Sequence, residues 1–421
     1  MPYFDVNLEL TSEDKMIRDA AHKFAAEVMR PIARQIDRMP AQEAVADGSP
    51  LWGFVKQGYQ LGYHKALFPE AVGGLGFTSL QGHILSEELV WGGLGLAGVL
   101  LLASWPYFKL AQTGRQDLIE EFVAPFCACD DGSMTGAWAI IEPDRGSDQL
   151  SQGEDYYRDP KITCRVRAVR DGSHWVISGQ KAAWVSCGPT ATHVMLNVQI
   201  DGSRGLAGGG VCFLPLNLDG VSRGKALEKV GQRDLPQGEL YFDEVRIPDR
   251  WMFVRSEGYA DWVTNNLGFG NAAMTLFAIG LARAAFEEAL GYAKERVQGG
   301  KPLIEHWYTK MRIGRMFGKV EAIRATSRAV WNLNTRIYPP APEYSFAAKA
   351  VCTELARDVI DEAVQVHGAN GLTKEYYIEK LWRDSRALTI EDGENDVLCR
   401  SAGHLVKELY PRPQGSVNQV G

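Results

Sequence analysis

Four consecutive residues near the end of this 421-residue chain, Glu391-Asp392-Gly393-Glu394, have the types and spacing for proton chemistry. A carboxylate beside a glycine, late in a helical stretch, can reach a bound substrate and serve as a general base. The same residues also make an ordinary solvated turn, because acids and glycine are turn formers. Upstream, residues 365–372 (QVHGANGL) read as a helix C-terminus broken by glycine. Residues 381–398 then carry an Arg383-Asp384 pair ahead of the acidic turn. A second motif, Gly93-x-Gly95-x-x-Gly98, fits the dinucleotide fingerprint in letters only. That fingerprint needs a strand before it, and what precedes it here is helical; the glycines are expected to let two helices pack closely. Cys127 and Cys129 form a C-x-C pair with no second pair at metal spacing, so no metal site is expected.

These groups need a scaffold, and composition bounds it. The length suits two or three domains with a large core. A net charge of −7 without a basic stripe argues against a nucleic-acid partner. Seven scattered cysteines suggest a reducing compartment. The first fifteen residues are acidic and lack an apolar core, so no leader peptide is expected. The longest apolar run, residues 94–103, is too short to span a bilayer. The expectation is a soluble cytoplasmic protein with no membrane insertion.

Periodicity divides the chain in three. Residues 1–132 read as helical: Thr11 and Asp14 make a helix start, followed by Ile17, Ala21, Phe24 and Val28 at helical spacing. Pro31 marks a break or a new start, and residues 54–61, 79–91, 97–110 and 116–126 read as further helices. Residues 133–248 switch to period two, in β-rich runs such as 135–141, 161–169, 174–186, 192–200, 209–216 and 238–247. Short strands bounded by turns predict an antiparallel barrel or sandwich. The run Gly208–Gly210 reads as a hairpin tip, and residues 152–160 as a polar excursion that covers the site. Residues 249–421 return to long helices over 268–297, 304–336, 345–367, 374–386 and 394–409, a C-terminal four-helix bundle. The fold class is therefore α+β multidomain.

At residues 136–148, GAWAIIEPDRGSD, this order of parts resembles the acyl-CoA dehydrogenases. The likeness continues through residues 68–76, 179–188, 229–248, 292–302, 365–371, 382–387 and 391–393, in the family's order and near its spacing. It implies FAD as cofactor and an acyl-CoA as substrate. It implies that the backbone of Trp138, Ala139, Ile140 and Ile141 borders the flavin ring, and that Gly146 and Ser147 reach the cofactor pyrophosphate or the CoA arm. Trp184-Val185-Ser186 resembles the family's Trp-Ile-Thr, with the indole covering the ring and the hydroxyl approaching N5. Arg296 resembles the arginine that a neighbouring subunit sends to the pyrophosphate, with Gln298 beside it; Trp307, also expected at the cofactor, stands where the family has a glutamine. Gln365, Val366, Gly368 and Ala369 resemble the segment that wraps the adenosine half across the same interface; Glu394 and Asp396 are also expected at the cofactor, Glu394 standing where the family has a threonine. The family therefore implies a homodimer or homotetramer, with electron-transfer flavoprotein as acceptor.

In most of the family the acidic turn reads Tyr-Glu-Gly-Thr; here the aligned base is Asp392, with Gly393 beside it. Aspartate is one methylene shorter, so the substrate α-carbon must sit roughly 1–1.5 Å closer to the backbone. Within the family, aspartate here resembles the enzymes of alicyclic acyl-CoAs such as cyclohexane or cyclohexene carboxyl-CoA, and also the nitroalkane oxidases. Glu391, Glu394 and Asp396 are expected to raise the proton affinity of Asp392, with Arg383 and Arg386 opposing. Asn271 stands where the family commonly has an arginine, so a substrate contact there carries no charge. Two alternatives share the fold: a flavin oxidase and a non-redox acyl-CoA lyase.

Overall fold

The computed structural model describes residues 9–409; residues 1–8, which hold most of the acidic opening stretch, and 410–421 lie outside the described residues. The helical N-terminal part runs α1 (Ser12–Phe24), α2 (Arg30–Ile36), α3 (Ala41–Ala44), α4 (Pro50–Gln60), α5 (Ser79–Gly92), α6 (Leu94–Ala111), α7 (Gln116–Leu118) and α8 (Ala124–Ala128). Thr11 closes a capping box with Asp14 at the start of α1, and Thr78 closes one with Gln81 at the start of α5. Pro31 sits in the first turn of α2, where its missing N–H costs nothing, behind a wide helical turn at Ala25–Met29.

The central part is one sheet of eight strands: β1 (Gly136–Ala139), β2 (Arg167–Asp171), β3 (His174–Ser186), β4 (His193–Gln199), β5 (Gly209–Pro215), β6 (Val221–Arg223), β7 (Gln237–Pro248) and β8 (Met252–Val254). Its order is β6-β7-β3-β2-β4-β5-β8, mostly antiparallel, with β1 joining β4 in parallel. Residues 161–166, expected as strand, are irregular, and Gly209 and Gly210 open β5 instead of capping a hairpin.

The helical C-terminal part comprises α9 (Tyr259–Glu295), α10 (Trp307–Arg336), α11 (Pro342–His367), α12 (Ile378–Leu388) and α13 (Asn395–Leu409), with the small hairpin β9 (Val297–Gln298) and β10 (Lys301–Pro302) after α9. Gly368 ends α11 at φ +60°. One apolar core threads all three parts, from Ala21 and Phe24 through Val194 and Phe213 to Leu398. Among the described residues two helices, α6 and α9, are long and apolar enough to cross a membrane, but 72% and 89% of their most apolar windows are packed inside the molecule, as core helices are.

The glycine motif at the α5–α6 junction serves packing, though not only of helices. A side chain on Gly93 would touch Ala33 of α2 at 3.0 Å. One on Gly95 would lie 2.5 Å from Asp234 Oδ1, and one on Gly98 would lie 3.3 Å from Leu235. The partner of the last two is a loop before β7, not a second helix.

Candidate active site

The acidic turn lies between α12 and α13. Asp392 has φ +54°, a left-handed conformation costing a non-glycine residue about 1–2 kcal/mol. Strain of this kind persists only where neighbours impose it, and it concentrates at functional sites. Gly393 follows at φ +108°, and a side chain there would lie 2.7 Å from Leu398 Cδ2. Three groups hold the turn. Lys349 of α11, fully buried, donates to the Gly393 carbonyl at 2.7 Å and to Asn395 Oδ1 at 2.9 Å. Asn271 of α9 donates its amide to the Asp392 carbonyl at 3.2 Å. Ser147 Oγ accepts from the Glu394 N–H at 3.3 Å, tying the turn to the β-part. Glu394 itself caps α13, its carboxylate accepting from the Asp396 and Val397 N–H groups. Asp396 is exposed. The Asn271 Oδ1 atom is buried without a partner among the described residues, and the Asp392 N–H likewise meets no acceptor.

Two carboxyls of this turn, Asp392 and Glu391, are reluctant to ionise. Desolvation raises the Asp392 pKa, and Lys349 opposes the rise. Glu391 is pushed up to about 7 by desolvation and then by the charge of Asp392, against a hydrogen bond from Gln232. Burial pulls the Lys349 ammonium down to about 8, with Glu391, Asp392 and Glu394 favouring its charge. Thus the cation facing Asp392 is Lys349. Arg383 pairs with Asp37 and Glu379, and Arg386 bonds Thr389.

In the β-part, β3 breaks its register with β7 between Lys181 and Val185. An irregularity of this sort re-aims a side chain. Trp184 there is 56% exposed, Val185 is buried, and half-buried Ser186 pairs with Gln237 of β7. Gln237 donates to Ser186 Oγ at 3.2 Å. An exposed indole beside a hydroxyl fits a planar ring with a hydrogen-bond acceptor on its edge. The β1 region is pinned from behind. The Ile140 carbonyl accepts from Lys181 Nζ at 2.8 Å, and the Ile141 carbonyl from the Ala182 N–H at 3.0 Å. Trp138 Nε1 donates to Asn197, and Ala139 is buried. Lys181 also forms a fully buried pair with Glu142 at 3.0 Å, and Glu142 accepts from the Arg165 and Val166 N–H groups. Residue-type reading had no signal for this pair, because its two members lie 39 positions apart.

The remaining expected cofactor residues gather elsewhere. Arg296 follows the end of α9, about 37 Å along the helix from Asn271 at 1.5 Å per residue. Arg296, Gln298 and Trp307 are exposed, Trp307 by 75%. Tyr292 stacks on His367 at 4.3 Å, which brings the exposed Gln365, Gly368 and Ala369 to the same end; Val366 points into the core. Within one chain these groups stand apart from Asp392. The 152–160 segment docks on α13 through Glu154–Arg400 at 3.2 Å, with Tyr157 buried beneath it.

Models of the acyl-CoA dehydrogenase N-terminal, middle and C-terminal domains match residues 11–130, 137–245 and 258–405. A benzylmalonyl-CoA dehydrogenase of Aromatoleum aromaticum is 27% identical, covering 93% of this chain and 97% of its own. A cyclohex-1-ene-1-carbonyl-CoA dehydrogenase of Syntrophus aciditrophicus is 26% identical, covering 97% and 92%. An active-site mutant of nitroalkane oxidase crystallized with 1-nitrooctane superposes with TM-score 0.85 at 20% identity, covering 95% and 96%.

Proposed function

The chain belongs to the acyl-CoA dehydrogenase family, and from that premise we propose that it desaturates a branched or alicyclic acyl-CoA thioester between its α and β carbons, with FAD as cofactor and Asp392 as base. The observation that carries this is the setting of Asp392: a carboxylate that desolvation keeps from ionising, on a strained turn tied through Ser147 to the β-part that carries an exposed indole. Bound FAD supplies the acceptor for the β-hydride. Trp184 and Ser186 would meet its ring, Ser147 would reach its phosphate arm or the CoA, and Arg296, Gln298 and Gln365–Ala369 of a second subunit would hold the nucleotide.

Asp392 removes the α-proton. A thioester α-C–H is a far weaker acid than a carboxylic acid, so two aids are needed. Desolvation makes Asp392 a stronger base than a free aspartate. The Asp392 N–H, with no acceptor of its own among the described residues, stabilises the oxygen that gains charge as the proton leaves. Lys349 and Asn271 keep the turn in place while this happens.

The shorter base is what favours a branched or cyclic acyl group, and a relative that acts on a cyclohexene carbonyl-CoA supports that choice. The exposed apolar side chains of Val297, Trp307 and Phe317 support a homodimer or homotetramer. Electron-transfer flavoprotein is the proposed acceptor, and a reducing cytoplasm suits seven free cysteines.

The test is anaerobic flavin bleaching by butyryl-CoA and cyclohexanecarboxyl-CoA. The protein should bleach with the cyclic thioester, and Asp392→Asn should bind FAD yet fail to bleach. Undiminished bleaching by the variant would refute the assignment. Fast reoxidation by air with substrate bound would favour the oxidase instead.

A further inference from the structure

Behind the exposed Trp184 and the half-buried Ser186 lies a chain of hydrogen bonds whose direction is fixed. Lys229 Nζ donates to Gln237 Oε1 at 2.7 Å and to the Leu235 carbonyl at 2.7 Å. An ammonium can only donate, so the atom of Gln237 that faces it is the amide oxygen. This removes the usual ambiguity between the two ends of a glutamine amide. The NH₂ group then faces Ser186 Oγ at 3.2 Å and the Trp184 carbonyl at 3.4 Å. An amide nitrogen also only donates, so Ser186 Oγ is the acceptor there. Its own proton is left over, and no described residue accepts it.

We propose that Lys229 and Gln237 are positioning residues that oblige Ser186 to present its hydroxyl proton to the flavin edge. The assignment rests on the flavin site proposed above. Each member of the relay is placed for the purpose. Gln237 lies directly across the β3–β7 pair from Ser186 and is buried. Lys229 is mostly buried; desolvation pulls its ammonium down to about 8, while Asp234, Glu391 and Asp384 favour its charge and Lys380 opposes it. A positive charge at the start polarises both hydrogen bonds toward Ser186. A donor held in this way stabilises the extra electron density of the reduced ring more than that of the oxidised ring, so the relay raises the reduction potential of bound FAD.

The experiment measures the reduction potential of FAD on the purified holoprotein by equilibration with a reference dye. Gln237→Glu keeps the shape but presents acceptors on both sides, so it draws the Ser186 proton away from the flavin. It should make the potential more negative, changing the oxidised-to-reduced ratio at fixed dye potential about tenfold, the worth of one hydrogen bond. Ser186→Ala should give a similar shift, and adding Gln237→Glu to it should give no more. Lys229→Met, which unlocks the amide, should shift the potential in the same direction. Should Gln237→Glu fail to fold, Gln237→Met tests the same link by removing the donor. An unchanged potential in the folded Gln237 variant, or a full additional shift in the Ser186→Ala background, overturns the relay. A protein that binds no FAD at all overturns the proposed function itself, a result read before any variant is made.

Discussion

Replacing Lys349 with methionine separates the stability of the turn from its chemistry. The substitution removes two charged hydrogen bonds, to Gly393 O and Asn395 Oδ1, each worth about 1.5–3 kcal/mol. It also removes the cost of burying an ammonium, several kcal/mol in a protein interior. These terms are similar in size, so the folded state should survive with a modest change in Tm. The chemistry should not survive unchanged. Lys349 bonds the carbonyl of the residue after Asp392, which puts its charge about 5–8 Å from the carboxylate by chain geometry. At an effective dielectric of about 20 that attraction is about 2–3 kcal/mol, and its loss lets desolvation raise the Asp392 pKa further. The base works only when deprotonated. A higher Asp392 pKa therefore moves the rising limb of the pH–bleaching profile to higher pH. The assay is stopped-flow bleaching with cyclohexanecarboxyl-CoA from pH 5 to 9. The expected result is a limb displaced to higher pH with FAD still bound. A folded variant whose limb stays where it was refutes Lys349 as the counter-charge of Asp392.

Two further predictions concern the same turn. Gly393→Ala puts a methyl group 2.7 Å from Leu398 Cδ2 at a φ of +108°; thermal melts should show a loss of about 2–4 kcal/mol, and bleaching should slow about 100-fold as Asp392 is displaced. Glu391 is raised in the folded chain to about 7 from 4.5, so the folded state holds a proton that the unfolded chain loses first. Its contribution to stability is full below about pH 4.5 and is lost as pH rises through about 7. Glu391→Gln should flatten that part of a urea-melt pH series, and an unchanged slope would show that Glu391 is not the group responsible.

The parts that repeat locally were legible in the sequence. Thr11 and Asp14 announced α1, Gly368 announced the end of α11, and period-two runs announced β3, β4 and β7. The turn at Asp392 and Gly393 was legible as a turn, because turn chemistry is local. Lys349 was not: a lysine within a helix reads as solvent-facing until the turn 44 positions later folds over it. Lys229 and Gln237 were hidden for a related reason. Their importance lies in which atom of an amide faces which neighbour, and that is set by a strand pairing 51 positions long. The glycine motif was half legible. Close approach was foreseeable, but the approaching group, Asp234, comes from another part of the chain.

That contact limits how this protein can be recombined with its relatives. Asp234 accepts from the Leu96 N–H at 3.2 Å and from Lys380 at 2.9 Å, while Lys380 reaches Asp384 at 2.6 Å and Asp384 accepts from the Gln232 N–H at 2.5 Å. Positions 95, 232, 234, 380 and 384 thus form a set drawn from all three parts. A hybrid whose crossover points split that set would inherit a stranded buried charge or a side chain where only glycine has room, so such libraries should exchange the five together.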